Sequence, residues 1–294
     1  MSASVRGERA TSIRDLVDIA AISHFVAQME LAEHIGGAEP RFELSLPVVR
    51  FAAAEGVLEF PLRVLGSRSR DDLRWEWAWH TPGRYAPGLL GVVEQIRLKG
   101  LREAIPEITE PVVPVSAADA LHLVIASKAL SGVLTSYETE AAPGLTVHLL
   151  LGNANPRTPG PDRIAEAIAE AVEAGCLHDH RTAIAAFAKR FQIPSRWSRE
   201  RAILLAPGGS LDIELDEQGR VDRIRLQGRD GPRALEGGGA QAAPAAAHPA
   251  GSVPQPAPER PLALGGPPPV REAAGLLSPY PQPSGPPPPL GPPS

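Results

Sequence analysis

Apolar residues first settle into helical spacing between Ser12 and Ile35, where Ile22, Phe25, Val26 and Met29 form one stripe. Ser12 and Asp15 read as a capping box at its start, and Gly36-Gly37 supplies a left-handed stop. His24 lies inside this apolar surround, where a hydrogen-bonded core histidine is the ordinary reading. The pattern then turns to alternation. Strands are expected at Phe42–Leu46, Val57–Leu65 and Asp72–Trp79, with Pro47 and Pro61 favouring edge positions or bulges. Helical spacing returns over Leu89–Ala104, which carries Gly100 on its stripe, and over "SAADALHLVIASKAL", opened by Ser116 and Asp119 as a second capping box. Strands Gly132–Glu140 and Thr146–Leu151 follow, joined by the turn "AAPG". After "GNANPRTPGP", a linker by composition, come helices Asp162–Ala174 and Arg181–Phe191. Strands Arg201–Leu205, Leu211–Leu215 and Val221–Leu226 complete the series, the last two joined by the short turn "DEQGR".

These elements predict an α+β fold, with antiparallel sheets and helices packed on one face. Four regions are expected: an α+β unit with a tryptophan-rich strand over 1–152, a linker over 153–160, a smaller helix-helix-meander unit packed on the first over 161–228, and a tail over 229–294. Composition sets the last boundary. Of 33 prolines, 19 fall in the final 65 residues, where no apolar periodicity survives. Proline lacks the amide donor and fixes φ, so the tail is expected to be disordered, with polyproline II character. Its Pro-x-x-P spacings, such as Pro258 to Pro261 and Pro283 to Pro286, suit docking in an aromatic groove of a protein partner. A solubilising tail is the plainer alternative.

The segment "RWEWAWH" places Trp75, Trp77 and Trp79 at strict alternation, three of the four tryptophans in the chain. On a strand they share one face, opposite Arg74, Glu76, Ala78 and His80. They form either a core face or the lining of a binding groove. Each indole buries on the order of 200 Å², so three enclosed rings contribute about 10–15 kcal/mol of gross burial, which favours the core face. The order "VLGSRS…LRWEWAWHTP", "LKGLREAIPEIT" and "ADALHLVIASKALSGVLTSYETEAAPGLTVHLLL" resembles an uncharacterised bacterial family, common in actinobacteria, catalogued as domain of unknown function 6882. Gly66-Ser67, the W-x-W-A-W strand, Gly100 and Tyr137 carry the resemblance over residues 13–152. In place of the asparagine often found after the third tryptophan of that pattern stands His80. The resemblance implies a shared fold and brings no catalytic residue with it.

The cluster "CLHDHR" holds Cys176, His178, Asp179 and His180, the only local run of metal-ligand types. His178 and His180 could offer two nitrogens to zinc, but a closed site needs three or four protein ligands. Capping of the following helix by Asp179 is the competing and simpler reading. Neither a G-x-S-x-G elbow nor a P-loop is present, and Glu138 with Glu140 reads as a solvated strand face. No cofactor is expected. The formal charge of −5, with no basic run interleaved with aromatics, argues against nucleic acid. No apolar run long enough to span a membrane and no secretory leader stand in the sequence, so a cytoplasmic protein is expected. The expected role is a non-enzymatic binding or regulatory module. The alternatives are an enzyme whose site is assembled from distant residues and a protein–protein module that uses the proline-rich tail.

Overall fold

The computed structural model describes residues 12–43, 47–54, 56–154, 156–228 and 231–235. Among them the chain is α+β, and every strand pairing is antiparallel. It opens with helix α1 (Ile13–Ile35), followed by strands β1 (Pro40–Glu43), β2 (Val48–Ala53), β3 (Gly56–Ser69) and β4 (Arg74–Trp77). Two 3-10 turns lead into α2 (Gly91–Glu103), the single turn α3 (Pro106–Thr109) and β5 (Val112–Pro114). Helix α4 (Ala117–Ser131) and the hairpin of β6 (Thr135–Ala142) and β7 (Leu145–Leu151) come next. Helices α5 (Pro161–Glu173) and α6 (His180–Arg190) precede a meander of β8 (Ser195–Trp197), β9 (Arg201–Ala206), β10 (Gly209–Leu215), β11 (Val221–Gly228) and β12 (Gly231–Leu235).

The first sheet is organised by the long strand β3. Its first half pairs with β2, from Gly56 opposite Ala53 to Pro61 opposite Val48. From Leu62 onward it pairs with β7, and Gly66–Ser69 also pairs with β4. A bulge between Val64 and Gly66 bends the strand where it changes partners. Gly66 is required there by packing: a Cβ would lie 2.6 Å from the Glu76 carbonyl oxygen and 2.9 Å from the Trp75 ring. The second sheet is the plain meander β12-β11-β10-β9-β8. Helix α5 packs on β10 and β11, and its Ile164, Ile168 and Ala171 are buried.

Helix α1 joins the two halves. The Ser12 hydroxyl accepts the Asp15 amide at its start, and Gly36 closes it in the left-handed region with its amide on the Ala32 carbonyl. Ten of the twelve residues from Leu16 to Ala27 are buried, because α1 touches α4, α5, α6 and strands of the first sheet. A helix enclosed on nearly all sides needs no polar face, and the polar residues of this stretch, Asp18, Ser23 and His24, are themselves buried. The buried apolar side chains of both sheets and their helices form one contiguous core.

Several strands depart from the sequence pattern. β2 lies directly after Pro47, where no strand was expected, and β5 and β8 are three residues each, too short for a period to show. The tryptophan strand ends at Trp77, two residues early. Residues 231–235, expected to belong to the tail, pair with β11 from Gly228 opposite Gly231 to Ile224 opposite Leu235. Pro232 is tolerated because β12 is an edge strand. The rest of the expected tail, 236–294, and residues 44–46 of the first expected strand lie outside the described residues.

Candidate functional site

Trp75 and Trp77 are both fully buried, edge to face, with ring centroids 5.3 Å apart. The Trp77 indole donates its N–H to the Glu107 carbonyl at 3.0 Å, and Trp75 lies 4.9 Å from the His148 ring. Burial and the nearby Arg68 charge push the His148 pKa down to about 4, so the imidazole is neutral at pH 7 although Glu138 approaches to 3.6 Å. Trp79 has other surroundings. The chain turns after Trp77, whose carbonyl accepts the His80 amide, and Trp79 is half-buried beneath the Arg97 guanidinium at 4.8 Å.

The "CLHDH" segment joins α5 to α6. Asp179 caps α6, its carboxylate accepting the Thr182 amide at 3.0 Å and the Thr182 hydroxyl at 2.7 Å. The next layer comes from Asp18, a buried carboxylate on α1 that accepts the amides of His178 (2.7 Å) and Asp179 (3.0 Å). Its pKa is raised by burial, with those two amides working against the shift. The His178 ring stands 3.6 Å from Asp18 and 5.6 Å, centroid to centroid, from His122 of α4. His180 turns to a different partner, accepting the Val221 amide through Nδ1 at 3.1 Å. Cys176 is buried with its thiol pushed up to about 11, which leaves no nucleophilic thiolate at neutral pH. Among the described residues no group of three or more His, Cys, Asp and Glu side chains is gathered as a metal would require. These contacts tie α1 to the α5–α6 turn.

A third polar group lies between α1 and α4. Lys128 is completely buried, its ammonium nitrogen 2.6 Å from His24 Nδ1 and 3.4 Å from Gln28 Oε1. The same Gln28 oxygen accepts the Ser136 amide at 3.1 Å. Burial lowers the pKa of Lys128 strongly, and burial together with the Lys128 charge lowers that of His24. No carboxylate is among these partners, so the burial that disfavours the charged forms is not offset by an opposite charge.

The one of these features open to solvent on an apolar wall lies farther along α1. Ala27, Glu30, Leu31 and His34 recur at helical spacing on a single face. Leu58 and Phe60, which share a face of β3, stand opposite. The segment after β7 closes the third side with Asn153, Ala154, Pro156 and Arg157, pinned by the Thr135 hydroxyl on the Ala154 carbonyl at 2.6 Å. Asn153 takes the left-handed conformation, φ 60°, to bring the segment round. Together they enclose a cup of about 240 Å³. Its walls are apolar, and Glu30, His34, Asn153 and Arg157 supply the polar groups. His34 is held by a 2.6 Å hydrogen bond between Nδ1 and the Glu30 carbonyl. Glu33, on a neighbouring face, is paired with Arg163. Glu30 and Arg157 are in no ion pair among the described residues.

None of these residues forms a sequence motif. The cup draws on three segments spread between Ala27 and Arg157, and Asp18 meets its partners 160 residues away. The one local signal was the alternation of Leu58 and Phe60, which reads as strand and says nothing of what faces it. No curated protein and no solved structure matches the chain. Residues 14–154, from α1 through the hairpin of β6 and β7, match the model of the family of unknown function DUF6882.

Proposed function

We propose that the protein is a non-enzymatic binding module, with the cup between α1 and β3 as its ligand site. The observation that carries this reading is the pairing of a solvent-open apolar cup with polar groups at its rim, the usual form of a small-molecule site. The reactive side chains support it from the other direction. Lys128, His24, His148 and Cys176, whose pKa values are strongly shifted, are all buried in packing. At about 240 Å³ the cup is smaller than the roughly 300–1,000 Å³ of drug-sized sites, so the ligand is small.

Native mass spectrometry of freshly purified protein, followed by thermal shift with small amphiphiles, tests this. A retained or stabilising molecule is expected, lost in Leu58→Glu, a change at a half-buried wall position that spares the core. A ligand indifferent to Leu58→Glu would place the site elsewhere. A ligand chemically altered on incubation would make the protein an enzyme.

A further inference from the structure

We infer that the cup takes a free α-amino acid with a small apolar side chain, held as its zwitterion between Glu30 and Arg157; this rests on the binding role proposed above. The argument begins with the two charges. Both side chains line the cup, one from α1 and one from the segment after β7. They carry opposite charge, yet they are not within ion-pair distance of one another, and neither is paired with another side chain among the described residues. An acid and a base on the same concave surface would ordinarily neutralise each other if they were in reach. Here they are held apart, by the helix on one side and by the pinned Ala154 on the other. A ligand with both an ammonium and a carboxylate offers a counter-charge to each, whereas a ligand with only one charge leaves the other group unmatched.

The walls set the third substituent. Leu31 is buried at the floor, and Leu58 and Phe60 are half-buried above it, so the group that enters between them is hydrocarbon. Arg157 offers the planar fork that suits a carboxylate, and Glu30 accepts from an ammonium. Neither charge is enclosed deeply, which keeps the cost of desolvating a zwitterion low. The volume of about 240 Å³ admits an aliphatic amino acid and is small for anything longer than a dipeptide.

The test is isothermal titration calorimetry of the full chain with three probes: L-leucine, 4-methylpentanoate, which lacks the ammonium, and 3-methylbutylamine, which lacks the carboxylate. Leucine is expected to bind, and each analogue to bind about tenfold more weakly or worse, the loss associated with one charge-assisted hydrogen bond. Arg157→Gln and Glu30→Gln should each weaken leucine by a similar factor. Arg157→Gln should leave the amine unaffected, and Glu30→Gln the acid. Both positions are on the rim, so folding is retained. An acid or amine that binds as tightly as leucine, and is lost in Leu58→Glu, would refute the zwitterion while leaving the binding role intact. Silence of all three probes would refute the amino acid; if no retained or stabilising ligand is found either, the binding role falls with it.

Discussion

Trp77 and Trp79 are two residues apart in sequence and meet opposite surroundings. Trp77 is fully buried with its indole N–H satisfied by Glu107, whereas Trp79 is half-buried under Arg97. Removing Trp77 leaves a cavity the size of an indole and an unpaired carbonyl, so Trp77→Ala should cost about 3–5 kcal/mol. Trp79→Ala gives up partial burial and one cation–π contact, about 1–2 kcal/mol. Urea denaturation of the two variants measures the difference, and equal losses would show that the turn after Trp77 does not separate their environments. Alternation alone cannot foretell that asymmetry, because the chain leaves the strand between the second and third ring.

At the scale of elements, the contact of α1 with α4 contains the least usual group in the fold, a buried lysine without a carboxylate. A lysine whose folded pKa is lowered gives up its proton at a lower pH in the folded state than in the unfolded chain. Stability therefore increases with pH between the lowered folded value and the ordinary 10.5, and the charge penalty is felt in full below the folded value. His24 acts in the same sense below 6.5, and His148 does so between 6.5 and about 4. Between about pH 8.5 and 10.5 the lysine acts alone among these three, with a slope bounded by about 1.4 kcal/mol per pH unit. Lys128→Met should flatten that slope. Thermal melts of both proteins across this window check it, and an unchanged slope would mean that Lys128 is charged in the fold. The elements themselves were largely legible in the sequence, and for local reasons. Ser116 and Asp119 exchange both hydrogen bonds of the capping box, and Asp179 caps α6 from within its own turn. Lys128 with His24, Asp18 with His178, and the wall of Leu58 and Phe60 against α1 depend on chain segments that periodicity does not relate. A lysine in "VIASKAL" reads as a solvated end of a helix until the helix in front of it is known.

For the whole molecule, the C-terminal edge of the second sheet sets where the chain can be shortened. A chain ending at 235 retains β12 and should melt with the full-length protein, since the remaining composition offers little apolar surface to bury. A chain ending at 228 bares the edge of β11, and should melt several degrees lower and associate more readily. Differential scanning calorimetry with light scattering separates the two; a large loss on removal of 236–294 alone would show that this stretch docks on the fold. The position of α1 has a further consequence, for synthesis. The helix leaves the ribosome well before α5 and α6, yet the amides that accommodate Asp18 belong to residues 178 and 179. At about 5–20 residues per second the wait is roughly 10–30 s, during which α1 has only the first sheet and α4 to cover it. A nascent chain stalled near residue 154 would hold all of the family-matched segment and still show the uncovered flank of α1 to chaperones, so α5 and α6 serve as the lid under which α1 comes to rest.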